Sequence, residues 1–222
     1  MFRPIARAAA LALGLFALPA AGSAATTYSD WNAMLADLDR GSITFEDFYS
    51  PQADARTLTF GTGIVSQAIG GPAPANGVNA VWYERQYLGG IDALGLVAPL
   101  SLVWTFPTPV RAFGGVFHSA VSGAGLTLTA DFDGTGAQTI HLADHLAHGR
   151  LTSGYFGVRG EAAFQTVTFG IAPGPDTYRD EYFEIDELSF SAAPPAAVPL
   201  PAALPLLMAG FAGLGLMRAR RA

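Results

Sequence analysis

The chain has 222 residues, half of them hydrophobic and 14% charged, and much of the apolar excess sits at its two ends. Its formal net charge of −6 hides a segregation: Arg3, Arg7, Arg218, Arg220 and Arg221 are terminal, which leaves seven Arg against 18 acidic residues in between. Such a middle repels phosphate and argues against a nucleic-acid partner, while the absence of Lys and Cys excludes a Schiff-base amine, a thiol nucleophile and a thiolate metal site.

Arg3 and Arg7 precede an apolar run that Pro19 ends, and small residues from Ala20 to Ala25 follow. Positive, apolar and small-residue parts in that order form a secretory signal peptide, expected over residues 1–25 and removed after Ala24 or Ala25. With no disulfides, the exported part must rely on a hydrophobic core, and residues 26–191 are long enough to bury one.

Ser29 is placed to cap a short helix in which Trp31, Met34, Leu35 and Leu38 follow the i, i+3, i+4, i+7 rule, with Gly41 ending it. Period two then takes over. Ser42-Ile43-Thr44-Phe45, Thr57-Leu58-Thr59-Phe60 and Leu126-Thr127-Leu128-Thr129-Ala130 alternate polar with apolar residues, the pattern of half-buried strands. Further strands are predicted at 64–69, 102–106, 110–117, 138–142, 163–169 and 182–190, with long loops at 70–77 and 88–95. Nine or ten short strands with no long helix between them predict an all-β fold: an antiparallel two-sheet β-sandwich of jelly-roll type behind one short N-terminal helix.

The prolines of Ala192-Ala193-Pro194-Pro195 stop the last strand and open a linker over 192–202. Its final five residues are Val198, Pro199, Leu200, Pro201 and Ala202; an apolar segment at 203–217 and the basic end 218–222 follow. Fifteen helical residues rise about 22 Å against a hydrocarbon core of roughly 30 Å, so the predicted transmembrane helix is short and its hold on lipid marginal. Arg218, Arg220 and Arg221 act as a cytoplasmic stop that leaves the rest of the chain outside.

The order of Val-Pro-Leu-Pro-Ala, apolar helix and Arg run resembles the VPLPA variant of bacterial PEP-CTERM sorting signals. That resemblance implies a partner, an exosortase-like membrane protease or transpeptidase that cuts near the motif. It also implies a location: transiently at the inner membrane, then at the cell surface or in the extracellular matrix. The alternative is a tail anchor that is never cut. Phe113-Gly114-Gly115, Asp131-Phe132-Asp133-Gly134 and Phe183-Glu184-Ile185-Asp186-Glu187-Leu188 are similar to β-sandwich domains that precede such tails.

Phe183 and Ile185 share a strand face that Leu188 and Phe190 can rejoin only if a bulge intervenes at Asp186-Glu187. The pairing of an early strand carrying Glu46 and Asp47 with a late one carrying Asp186 and Glu187 resembles carbohydrate-binding jelly rolls, which implies a structural Ca²⁺ there. Solvated acids on strand edges are the simpler reading, and no other cofactor is expected. Asp131-Phe132-Asp133-Gly134 opens like a calcium loop but lacks the downstream Glu, so a hairpin turn suits it better. His141, His145 and His148 would align only on a helix, which Gly149 cuts short. Adjacent His118 and Ser119 point to opposite faces of a strand, a poor nucleophile and base pair. Trp82, Tyr83 and Tyr87, with Trp104 as a fourth ring, form a candidate aromatic platform for a glycan, although core packing suits Trp104 better. The expectation is therefore a non-enzymatic envelope or extracellular-matrix protein, with a surface-displayed carbohydrate-binding module or hydrolase as the alternative.

Overall fold

A computed structural model describes residues 25–38, 42–82, 86–121, 125–146, 151–172 and 180–194, with the side chains of 119–121 and 151–152 excepted. The chain divides into two compact units, Met1–Ala192 and Ala193–Ala222. In the first unit β1 (Thr26–Tyr28) and α1 (Trp31–Asp37) lead into β2 (Ile43–Glu46), β3 (Thr57–Thr59), β4 (Val65–Ile69), β5 (Asn79–Val81) and β6 (Tyr87–Asp92). Then come β7 (Ser101–Val121), β8 (Leu126–Ala130), β9 (Gln138–His141), a 3₁₀ turn at Leu142–Asp144, β10 (Leu151–Ile171) and β11 (Asp180–Ala192). The signal peptide, the Val198 to Ala202 motif, the 203–217 span and the terminal arginines lie outside the described residues. Among the described residues no helix is long and apolar enough to cross a membrane.

Among the described residues all strand pairs are antiparallel and belong to one hydrogen-bonded sheet, in the order β5-β6-β11-β7-β10-β8-β9. β1 adds to β10, β2 to β11, and the β3-β4 hairpin to β7. The predicted strands at 102–106 and 110–117 are one strand, and 163–169 is the end of another. Pro107 and Pro109 do not end β7, because they fall between its paired residues Thr105 and Val110, where no ladder N–H is required.

Here the two long strands break register together. Arg159 stands opposite Ala112, Phe164 opposite Val110 and Thr166 opposite Thr105. Five residues of β10 thus span two of β7, then five of β7 span two of β10, and the pairing resumes in phase. Bulges bend strands. On one side of the break β7 pairs with β4 and β10 with β8; on the other β7 pairs with β11 and β10 with β1.

Aromatic side chains from the two sides meet in the core. Trp104 lies 5.0 Å from Tyr87 by ring centroids and Phe169 stacks on Phe183 at 5.3 Å. Aromatic pairs of these two kinds, edge-to-face and stacked, add about 0.5–1.5 kcal/mol each beyond the area they bury. Trp104 is fully buried, as its strand pattern implies.

Alternation holds at Leu58 and Phe60 and at Leu126, Leu128 and Ala130, all buried. In β2 it is inverted: Phe45 is 60% exposed and Glu46 only 3%. The Glu46 carboxylate is compensated inside, accepting from the Phe48 N–H (3.0 Å) and from the N–H and hydroxyl of Thr62 (2.8 and 2.7 Å). A period-two count registers polarity, and it carries no record of a buried acid's partners.

Two further expectations shift. Asp30, not Ser29, caps α1, its carboxylate accepting the Ala33 N–H at 2.9 Å. Residues 88–92, predicted as loop, belong to β6, where Gly89 and Gly90 lie beneath the rings of Phe183 and Tyr182 and a Cβ at either would overlap them. Those glycines make room for neighbouring side chains.

Candidate functional site

A cavity of about 600 Å³ opens between the start of α1, the end of β2 and the middle of β11. Its floor is the sheet itself. Gly114 of β7 and Gly157 of β10 have no side chain, so the Tyr155 ring lies over them, and a Cβ at Gly157 would strike the Met34 sulfur. The Tyr155 hydroxyl donates to Met34 Sδ at 2.9 Å, and burial pushes its phenol well above the ordinary tyrosine range. Trp31 closes one wall, set edge-on to Phe45 at 5.7 Å and to Tyr155 at 5.8 Å.

The opposite wall is the β11 bulge. Asp186 pairs with Val116 but Ser189 with Gly114, so three steps of β11 match two of β7, and Glu187 takes a left-handed φ of 49°. This is the bulge the sequence requires, and Phe183, Ile185, Leu188 and Phe190 are all buried. The bulge aims Asp186 and Glu187 into the cleft, where Asp47 and Asp30 join them. Asp186 Oδ1 accepts the Glu187 N–H at 2.7 Å, and Asp47 Oδ1 the Tyr49 N–H at 3.1 Å.

Glu46, Asp47, Asp186 and Glu187, named from the sequence, thus do line one cavity. Among the described residues no group of three or more His, Cys, Asp or Glu side chains is placed to hold a metal ion. Glu46 in particular already accepts three hydrogen bonds from Phe48 and Thr62. The resemblance of the paired early and late strands to carbohydrate-binding jelly rolls is what names those acids; Trp31, Phe45 and Tyr155, which give the cleft its shape, were missed because two of them read as core-facing residues. The exposed phase of Phe45 depends on Glu46 turning inward.

The aromatic platform is corrected. Tyr87 is fully buried, its hydroxyl donating to Asn79 Oδ1 at 3.0 Å beside Ser66, and burial raises its phenol strongly. A ring inside the core cannot stack on a glycan. Trp82 is 48% exposed and Tyr83 lies outside the described residues. Trp82 instead shares a shallow pocket of about 110 Å³ with the exposed Tyr182, over Gly77 and Gly89. Tyr182 was not singled out from the sequence because its strand neighbours Phe183 and Ile185 dominated the pattern.

The remaining candidates resolve simply. Asp131 and Asp133 shape the β8-β9 connection, Asp133 accepting the Thr135 N–H and hydroxyl and Asp131 the Gly136 N–H, so the segment is a hairpin loop. His141 ends β9, His145 packs on Phe156 at 5.6 Å, and His148 lies outside the described residues. His118 stands opposite Glu184 on β11; the Ser119 side chain is outside the description.

Asp37 ties the helix to the sheet by accepting from Arg159 at 2.7 Å and from the Tyr28 hydroxyl, and these two bonds hold its carboxyl below the ordinary range. Compared with family models, curated proteins and solved structures, the chain shows no match to any of them.

Proposed function

We propose that this is an exported envelope or extracellular-matrix protein with an exosortase-type C-terminal sorting signal and a non-catalytic binding or structural ectodomain. The observation that carries the reading is the order of the last segments. A final strand ends at Ala192, the Pro-rich linker and Val198 to Ala202 follow at once, and then the apolar segment and the arginines. The division of the chain after Ala192 supports that boundary.

In this reading the short apolar segment holds the chain in the inner membrane until an exosortase-like partner cuts near the motif. The ectodomain is a jelly-roll-like β-sandwich whose two faces share β7 and β10 across their common break. The Tyr87–Trp104 and Phe169–Phe183 contacts support it, since strands that change sheets at bulges make the corners of such folds.

Intact mass of the mature protein tests the processing. A mass lacking both residues 1–24 or 1–25 and the segment beyond the Val198 to Ala202 motif is expected. A mature chain that keeps its arginines, or a chain truncated before Val198 that reaches the same location, would sink the proposal.

A carbohydrate-binding module is the second reading, favoured by exposed Trp82 and Tyr182 over a glycine floor. Glycan-array binding lost in Trp82→Ala and Tyr182→Ala would select it. Turnover lost with changes at His118 or Ser119 would select a hydrolase instead.

A further inference from the structure

We infer that the cleft between α1, β2 and the β11 bulge binds an organic cation, a guanidinium or ammonium group carried on an apolar stem. The inference rests on the ectodomain being a binding module. Three features of the cleft decide the ligand class.

First, the cleft has the volume of a small-molecule site, about 600 Å³, whereas a single ion needs far less. Second, Trp31, Phe45 and Tyr155 meet at 62° and 67°, so the rings form a corner rather than one flat platform. A pyranose stacks on a flat face; a cation is drawn to ring faces from several directions. Third, the charged side chains lining the cleft are all carboxylates, and no Arg, Lys, His, Asn or Gln among the described residues lines it. Sugar hydroxyls need donors as well as acceptors, and apart from the Trp31 indole N–H and the Tyr155 hydroxyl, which is given to Met34, the polar side-chain groups of these walls are acceptors.

Charge complementarity thus points to a positive ligand. Asp47, Asp186 and Glu187 would face the charged head, while Phe45 and Trp31 cover the stem. The residue that the hydrogen bonds remove from this role is Glu46, whose carboxylate is directed to Phe48 and Thr62.

Calorimetric titration of the full chain in detergent tests the inference with N-acetyl-arginine amide and with one Arg at the centre of a Gly/Ser nonapeptide. The citrulline counterparts serve as neutral isosteres. Both arginine probes are expected to bind at least about tenfold more tightly than citrulline, and to weaken as salt rises. A tighter peptide identifies a polypeptide ligand, and equal affinities identify a free small cation. Phe45→Ala and the pair Asp186→Asn with Glu187→Gln should each remove most of that preference at an unchanged melting temperature, since Phe45 and Glu187 are exposed. Equal binding of arginine and citrulline probes, no binding of either, or full binding by both variants overturns it. The outcome is independent of tail processing: a correctly cut protein that ignores arginine sinks this inference alone, and a protein that binds arginine but is never cut sinks only the sorting proposal.

Discussion

Glu46 and Thr62 are sixteen residues apart, and the carboxylate of one accepts both the backbone N–H and the hydroxyl of the other. The link fastens the end of β2 to the turn between β3 and β4, and a further bond from Phe48 completes it. Because Glu46 is 3% exposed, its truncation leaves buried donors without an acceptor. Glu46→Ala is expected to lower stability by about 2–4 kcal/mol in denaturant unfolding. Glu46→Gln should cost less. Calcium or a chelator should leave the melting temperature of the parent protein unchanged, and a clear calcium-dependent rise would favour a structural calcium at Glu46, Asp47, Asp186 and Glu187.

Asp92 organises the loop after β6, accepting N–H bonds from Leu94 (2.8 Å), Leu96 (2.6 Å) and Val97 (2.9 Å). Burial alone would raise its carboxyl, but these backbone donors outweigh burial and hold it below the ordinary range. A depressed folded value means that the contribution to stability is complete above the unfolded value, near pH 4, and is lost as pH falls through the folded one. Asp92→Asn should therefore cost about 1–2 kcal/mol at neutral pH, with the gap to the parent closing at low pH. Melts at pH 7 and at descending acid pH check the sign; a gap that widens in acid would contradict it.

Tyr87 and Trp82 lie close in sequence and separate cleanly by experiment. Tyr87→Ala empties a core site and should destabilise by about 3–5 kcal/mol, whereas Trp82→Ala should change stability by no more than about 0.5 kcal/mol. Thermal melts of the two variants are the check. Loss of glycan binding in Tyr87→Ala would thus report unfolding, and the informative pair is Trp82 and Tyr182.

Gly89 makes a further point about packing. A methyl there would enter the Phe183 ring, which itself stacks on Phe169, so the ring cannot retreat without opening the core. Gly89→Ala is expected to cost about 1–3 kcal/mol despite its gain in strand propensity. A variant as stable as the parent in urea titration would show that the ring has room to move.

Strand identity was legible wherever apolar residues recur at every second position, as at Leu126 and Leu128. The bulge at Glu187 was legible as well, because four apolar residues out of phase leave no other way to share a core. Long-range compensation was not. Nothing near Glu46 in sequence signals that Thr62 will satisfy it, so Phe45 read as interior and the aromatic half of the cleft went unseen. The merging of two strands through Pro107 and Pro109 escaped for a similar reason, since proline forbids a ladder bond only where the ladder demands one. Tyr87 read as a surface ring because its partners, Asn79 eight residues before it and Ser66 21 residues before it, reach its hydroxyl only once the strands have paired.

The matched breaks in β7 and β10 couple the lengths of two distant stretches of chain. A residue added near Pro107 without a counterpart near Glu161 would shift one end of the ladder by a single step, exchanging Trp104 with Thr105 across the faces of the strand. Insertions and deletions in these stretches are therefore tolerable in pairs, and a homologue with a longer proline segment in β7 should carry an equal extension in β10.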